Sequence, residues 1–157
     1  MRVRFALAVP ALFCALFNAP AAVAQTSPQA DGACPMLPGD GGGLYWTALR
    51  TDSALLCRAM RNADNREAFA LTMTRKVSFR LENEMREEQG QIEGRKVWWH
   101  RSEIAGRPSE VVRETLLKLD SDRVAHIYIR SDNAAEVARY QQLVQGLRFQ
   151  ASDLAQR

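Results

Sequence analysis

Residues 123–149 read RVAHIYIRSDNAAEVARYQQLVQGLRF, and this stretch decides the fold. Its first part, residues 123–130, alternates with a period of two, which predicts a strand. One face of this strand carries Ala125, Ile127 and Ile129, and the other face carries Val124, His126 and Tyr128. Because both faces hold apolar or aromatic residues, the strand is expected inside a sheet that is covered on at least one side.

An amphipathic helix is predicted directly after this strand, from about Ala134 to Gln145. Asn133, with Glu136 three residues later, has the pattern of a capping box at the helix start. Gly146 is the residue type that commonly follows a helix C terminus. An apolar stripe recurs along one side, formed by Val137, Tyr140, Val144 and Leu147. We expect this stripe to pack across one face of the sheet, as a lid.

The chain before this stretch predicts further short strands. Segments 44–49, 54–60 and 67–74 are aromatic-rich or alternating, and turn residues separate them, which is typical of a meander. Segment 77–88 places four apolar residues on one face and so predicts another strand. Helix is the alternative for this segment, because its Glu-rich end has good helix propensity.

A second group of strands is predicted after a turn bracketed by Gly90 and Gly94. Arg95–Ile104 forms one strand, and residues 109–119 form a hairpin with the strand at 123–130. The sequence therefore predicts an α+β fold: an antiparallel sheet of about six or seven strands packed against a C-terminal helix.

The N terminus has the parts of a secretory signal peptide. Arg2 and Arg4 give it positive charge, Phe5–Phe17 is apolar, and Ala22–Ala24 is a small-x-small cleavage site. The apolar run is short and broken by prolines, which disfavours a stable membrane anchor. We predict residues 1–24 as a signal peptide cleaved near Ala24, and a periplasmic or secreted mature protein.

Four parts of the chain are predicted from these patterns. After the signal at residues 1–24, residues 25–43 are rich in Pro, Gly, Ser and Gln, which is typical of a flexible tail. Residues 44–149 form the single α+β domain. Residues 150–157 form a C-terminal tail.

Signal cleavage removes Cys14 and leaves Cys34 and Cys57. Two cysteines in an exported chain most simply form one disulfide. It would close a loop of about 24 residues and stabilise the fold by about 3 kcal/mol in the chain-entropy argument. Free or reactive thiols are the alternative.

The charge balance does not indicate a nucleic-acid partner. The full chain is 46% hydrophobic and 25% charged, with a formal net charge of +3. Without Arg2 and Arg4, the 21 basic residues become 19, against 18 acidic residues. Because the charges are interspersed, there is no basic stripe for a phosphate backbone.

No motif for catalysis, metal binding or cofactor binding stands out. The chain lacks G-x-S-x-G and H-E-x-x-H, and its histidines, His100 and His126, fall in predicted strands. If those strands are neighbours, the two imidazoles could approach, but a metal site would need further ligands such as Glu103. We therefore predict no catalytic residue, no metal and no cofactor. A small ligand-binding or hydrolytic protein that uses His100 and His126 is the alternative.

Four consecutive residues, Trp98, Trp99, His100 and Arg101, are the candidate binding residues. Two adjacent tryptophans on a strand point to opposite faces, so they cannot share one core. One of them must meet a second layer or the surface, and an exposed tryptophan marks a binding site.

The segments AHIYIRSD, DNAAEVARYQQLVQGL and LRF, with the turn glycine that enters the aromatic strand Gly94–Trp99, resemble PsbP-like and DcrB-like domains. The resemblance covers roughly residues 90–149. It implies an antiparallel sheet covered by helices, and a role in binding or assembly rather than catalysis.

The features above favour an exported, non-catalytic protein-binding domain. The chain is small, carries an export signal and one cysteine pair, and lacks a catalytic constellation. The concrete version is an inhibitor or immunity protein that neutralises a secreted toxin or an envelope hydrolase. The alternative is an accessory or assembly factor of an envelope complex.

Overall fold

The computed structural model describes residues 34–149 except residues 76 and 78. The predicted signal peptide at 1–24, the first part of the predicted tail at 25–33 and the predicted C-terminal tail at 150–157 lie outside the described residues. Within the described residues, seven antiparallel strands pack against one C-terminal helix. The predicted α+β fold is therefore confirmed.

The strands are β1 (Leu44–Arg50), β2 (Ala54–Arg61), β3 (Glu67–Thr74), β4 (Arg86–Ile92), β5 (Arg95–Arg101), β6 (Val111–Lys118) and β7 (Val124–Ser131). The helix is α1 (Ala134–Gln145). Two short 3-10 helices lie at Gly41–Gly43 and Asn83–Met85.

The sheet is built from two meanders that meet in its middle. Its strand order is β1-β2-β3-β7-β6-β5-β4, so β3 and β7 pair although they are far apart in sequence. Their antiparallel register runs from Phe69 opposite Ile129 to Thr74 opposite Val124. The segment between β3 and β4 carries the chain from the middle of the sheet to its far edge. β1 and β4 are the two edge strands.

Helix α1 covers one face of the sheet, which we call the covered face. The predicted apolar stripe of the helix is buried, with Val137, Tyr140, Val144 and Leu147 each at most 3% exposed. Tyr140 packs against Phe69 of β3, with ring centroids 6.5 Å apart. Full burial of such a side chain stabilises the fold by about 1.5–3 kcal/mol, so each of these residues contributes to holding the helix on the sheet.

The predicted disulfide is confirmed. Cys34 and Cys57 are joined, with their Cα atoms 5.7 Å apart. Cys57 lies on β2 and is fully buried. The bridge therefore anchors the start of the described chain to the covered face.

Residues 34–43, the described part of the predicted tail at 25–43, pack against the domain. Pro35 is fully buried, and its carbonyl accepts a hydrogen bond from the Trp46 indole at 2.7 Å. Met36 and Arg148 exchange two backbone hydrogen bonds of 2.8 and 3.1 Å. Because these groups bond to the domain, the packed unit includes residues 34–43.

The predicted strand over residues 77–88 is wrong. Residues 79–82 are irregular, a 3-10 turn follows at Asn83–Met85, and β4 begins only at Arg86. The alternation is present in the sequence, but this segment crosses to the far edge and has no neighbour to pair with there. β4 also runs through Gly90, which lies opposite Val97. The turn is therefore formed by Glu93 and Gly94 alone, at φ values of 49° and 76°.

The bounds of α1 are those predicted, but its ends are held differently. The Asn133 side chain accepts a hydrogen bond from the Ala135 amide at 2.9 Å. Glu136 does not complete a capping box. Its two oxygens accept hydrogen bonds from Ser131 at 2.7 Å and from Arg61 at 2.8 Å. Because a Cβ on Gly146 would lie 2.8 Å from Pro38, a glycine there permits the close packing of residues 34–43.

Candidate functional site

We call the face of the sheet opposite α1 the open face. Along each strand, its residues alternate with residues of the core. Partners across a strand pair point to the same face. His100, Glu114, Tyr128 and Ala70 are successive partners across β5, β6, β7 and β3. Within their strands, Trp98 and His126 have the same orientation as these residues, so they also belong to the open face.

The two adjacent tryptophans lie on opposite faces, as the alternation predicts. Trp99 is 1% exposed and belongs to the core. Trp98 is 40% exposed, and the guanidinium of Arg86 lies 5.3 Å from the centre of its ring. Trp98 therefore presents an aromatic surface beside a cation, on the side of the sheet that the helix leaves uncovered.

The four candidate binding residues are not brought together. Trp98 and His100 lie on the open face. Trp99 is core and is not available to a partner. Arg101 has the orientation of Trp99, pairs with Arg113 in the sheet and forms an ion pair with Glu87 at 3.5 Å. The alternation of a strand separates these consecutive residues into two pairs.

Glu114 is the centre of a polar cluster on the open face. The Nε2 atom of His126 donates to one carboxylate oxygen of Glu114 at 2.7 Å. The Ser102 hydroxyl donates to the other oxygen. The hydrogen bond from His126 lowers the pKa of Glu114 below its ordinary value, the Ser102 bond acts in the same direction, and partial burial opposes them. Glu114 is therefore ionised near neutral pH.

His100 and His126 lie on either side of Glu114, because β5 and β7 flank β6. His100 is only 7% exposed, and its Nδ1 atom donates to the carbonyl of Trp98 at 3.0 Å. This bond is local and satisfies the Nδ1 atom within its own strand. His126 is the more accessible of the two, with a side chain that is 22% exposed.

Phe79 lies over His126, in the segment that crosses from β3 to β4. The two rings are 4.9 Å apart and nearly perpendicular, and Tyr128 lies on the same face 6.4 Å from the imidazole. Phe79 remains 42% exposed. With Trp98, it gives the open face two large aromatic side chains that are accessible to a partner.

The polar cluster does not have the arrangement of a nucleophile and its base. Ser102 and His126 both donate to Glu114, whereas an activated serine must donate to the imidazole itself. The two hydrogen bonds join the side chains of Ser102, Glu114 and His126 to one another. Within the described part of the chain, no group of three or more His, Cys, Asp and Glu side chains is arranged to hold a metal ion.

The exposed charge on the open face is mainly positive. The acidic residues that its strands direct to this face are paired: Glu114 with His126 at 2.7 Å, and Glu67 with Arg58 at 2.5 Å. Glu82 and Glu84, in the segment that leads from Phe79 to β4, are exposed. Four exposed cations on this face form no ion pair with any described residue: Arg86, Lys96, Lys118 and Arg130. The surface that a partner would meet is therefore aromatic and basic.

The site contains residues that the sequence reasoning passed over, above all Glu114 and Phe79. A signal for Glu114 was present, because the predicted hairpin places it opposite Tyr128, two pairs away from His126 and on the same face. Phe79 has no such signal, since its position depends on the path of an irregular segment.

No known protein family, curated protein or solved structure gives a significant match to this chain. The resemblance to PsbP-like and DcrB-like domains stays a prediction. In the described residues, no helix has the length and apolar character that a membrane span requires.

Proposed function

We propose that this chain is an exported, non-catalytic protein-binding domain that binds its partner through the open face. The concrete form is an inhibitor or immunity protein for a secreted toxin or an envelope hydrolase. The observation that supports the proposal is a sheet face that no helix of the described residues covers, on which Trp98 and Phe79 are 40% and 42% exposed.

The composition of this face favours a protein partner. Binding energy in protein interfaces concentrates in tryptophan, tyrosine and arginine, and Trp98 with Arg86 supplies such a pair. The polar groups beside them, on Glu114, His126 and Ser102, already satisfy one another. A partner can therefore cover this cluster without leaving a charge of the cluster buried and unpaired, which would cost several kcal/mol.

The charges favour an acidic partner surface. Arg86, Lys96, Lys118 and Arg130 stand exposed on the open face without ion pairs among the described residues. Complementary charge steers association and selects the partner. The partner is therefore a protein whose contacting surface carries carboxylates.

Export supports this reading of the function. Disulfides persist in oxidising compartments, and Cys34 and Cys57 form one. Residues 1–24 have the parts of a signal peptide. We place the mature protein in the periplasm of a Gram-negative bacterium, where toxins and envelope hydrolases act.

An affinity capture tests the proposal. The full chain, expressed with its own N terminus and a C-terminal tag, is used to capture proteins from an envelope extract of the source bacterium. We expect one stoichiometric partner that Met36→Ala retains and Trp98→Ala loses. Met36 is the matched control, because it is an apolar residue that is 50% exposed outside the open face. Recovery of no partner, or equal recovery by both variants, would contradict the proposal.

The activity of the captured partner then separates inhibitor from assembly factor. An inhibitor or immunity protein lowers the partner's toxic or hydrolytic activity in proportion to the fraction bound. Recovery of a multi-protein envelope complex whose activity is unchanged would favour the accessory role instead.

A further inference from the structure

The two edges of the sheet differ in how they are protected against another strand. β4 has a register irregularity between Arg86 and Gln89 and carries Arg86, Glu87 and Glu88 in succession. Glu88 is bound by Arg113 at 2.9 Å and by Gln141 of α1 at 3.3 Å. Bulges, charges and a covering helix are the devices by which proteins block strand addition at an edge.

β1 has none of these devices along most of its length. It pairs with β2 in unbroken register, from Leu44 opposite Arg61 to Arg50 opposite Leu55. Residues 44–49 contain no charge and no proline. Among the described residues, the only backbone hydrogen bonds to residues 45–49 are those within the β1–β2 pair. The outer amides and carbonyls of residues 45–49 form an open template for pairing.

Exposed apolar side chains accompany this free edge. Leu49 is 61% exposed and Tyr45 is 37% exposed. Both point to the open face, because Leu49 lies opposite Leu56 and Tyr45 opposite Met60. They stand at the two ends of the strand with Thr47 midway between them.

We propose that β1 is the interface of a homodimer, in which two copies of the chain pair antiparallel about a two-fold axis at Thr47. In this register Tyr45 faces Leu49 of the second copy, and the same pair recurs on the other side of the axis. Trp46 faces Ala48 of the second copy. The strand is thus complementary to itself, which is what a two-fold interface requires.

The register follows from the positions of these residues. Centring the pair on Thr47 uses all seven residues of β1 and covers both exposed apolar side chains. Aromatic side chains opposite aliphatic ones are favourable cross-strand pairs. A shift of the axis by one residue shortens the ladder and places Tyr45 or Leu49 opposite Thr47. This interface is separate from the proposed binding surface around Trp98. An experiment can therefore contradict one of the two proposals without contradicting the other.

Sedimentation velocity of the full chain over a range of concentrations tests the dimer. We expect a reversible monomer–dimer equilibrium. Leu49→Lys is expected to weaken it on the order of 100-fold, because two buried leucines are replaced by charges. Met36→Lys changes another exposed apolar residue, outside β1, and is expected to leave the equilibrium unchanged. A chain that stays monomeric at every soluble concentration, or a dimer unaffected by Leu49→Lys, would overturn the proposal.

Cysteine cross-linking tests the register. In Thr47→Cys the two new thiols face each other across the axis, with Cβ atoms about 5 Å apart, and mild oxidation should link the copies. In Leu49→Cys they are displaced by about 13 Å along the strands and should not link. Intact mass confirms that the Cys34–Cys57 bridge is retained in both variants. Equal or faster cross-linking of Leu49→Cys would contradict pairing about Thr47.

Discussion

The two faces of the sheet are built by the same strands but have different consequences for the protein. On the covered face, Phe69, Trp99 and Ile127 are each at most 1% exposed beneath α1. On the open face, Trp98 and Phe79 are about two-fifths exposed, at 40% and 42%. The peptide bond between Trp98 and Trp99 therefore separates a residue that stabilises the fold from one that is available for binding.

The difference arises because a strand alternates while residues 34–149, as far as they are described, supply one helix layer. Twelve residues of α1 can cover one face and no more. On the open face, Glu114 accepts hydrogen bonds from the neighbouring polar side chains. The cations of this face are exposed to water. Stability and binding can therefore be altered separately by substitutions on opposite faces.

The largest expected effect on stability is on the covered face. Trp99→Ala should lower the free energy of unfolding by about 3–5 kcal/mol, because it leaves a cavity in the core. Trp98→Ala should cost no more than about 1 kcal/mol. Urea denaturation of both variants measures the contrast. Similar losses of unfolding free energy in the two variants would show that the two tryptophans contribute equally to stability.

Removal of the disulfide should have the next largest effect. Replacing both Cys34 and Cys57 by serine should lower the free energy of unfolding by about 3 kcal/mol, since the bridge no longer restricts the unfolded chain. The measurement is denaturant unfolding of the oxidised wild type and the double variant. An unchanged unfolding midpoint would mean that the covered face holds residues 34–43 without the bridge.

The polar cluster on the open face should give a smaller, pH-dependent effect. The folded-state pKa of Glu114 lies below its ordinary value of 4.5, chiefly through the His126 hydrogen bond. The resulting stabilisation is fully present above the ordinary value and is lost as the pH falls through the lowered folded pKa.

Glu114→Gln should therefore flatten the dependence of unfolding free energy on pH below about pH 5, where an ordinary carboxyl titrates. Chemical unfolding at a series of pH values measures this. Glu84→Gln is the control, since Glu84 is an exposed carboxylate without an ion pair among the described residues. If Glu114→Gln and wild type have parallel pH profiles, the cluster does not stabilise the open face.

The smallest stability effect is expected at Arg86. Arg86→Ala removes the contact between its guanidinium and the Trp98 ring, which at an exposed site is worth about 0.5 kcal/mol. The loss of binding free energy for the captured partner should be larger than the loss of unfolding free energy. The affinity should also become less sensitive to salt. Isothermal titration at two salt concentrations tests this, with Arg139→Ala on α1 as a control outside the open face. Unaltered affinity and salt dependence would exclude Arg86 from the interface.

Much of the fold could be predicted because each element carries its own periodicity. The alternation of residues 123–130 and the stripe on residues 134–145 identify β7 and α1, and the hairpin of β6 with β7 follows from the turn between them. Segment 77–88 was mispredicted because alternation describes a side-chain pattern, not a pairing partner. Only the long-range pairing of β3 with β7 shows that this segment has to cross the sheet.

The site was less predictable than the fold for a related reason. Sequence alternation shows that Trp98 and Trp99 must face opposite ways, but not which face the helix covers. The pairing of Glu114 with His126 could have been obtained by counting along the predicted hairpin. The place of Phe79 over His126 depends on a loop path that no local pattern encodes.

The affinity of the captured, purified partner for three variants of matched stability tests the central claim most directly. Trp98→Ala and Phe79→Ala change the open face, and Met36→Ala changes an exposed apolar residue elsewhere. We predict that each of the first two weakens binding at least about 30-fold, as expected for a loss of 2 kcal/mol or more at a binding hot spot, while Met36→Ala binds like wild type. Wild-type affinity in both open-face variants, with thermal stability unchanged, would contradict the account.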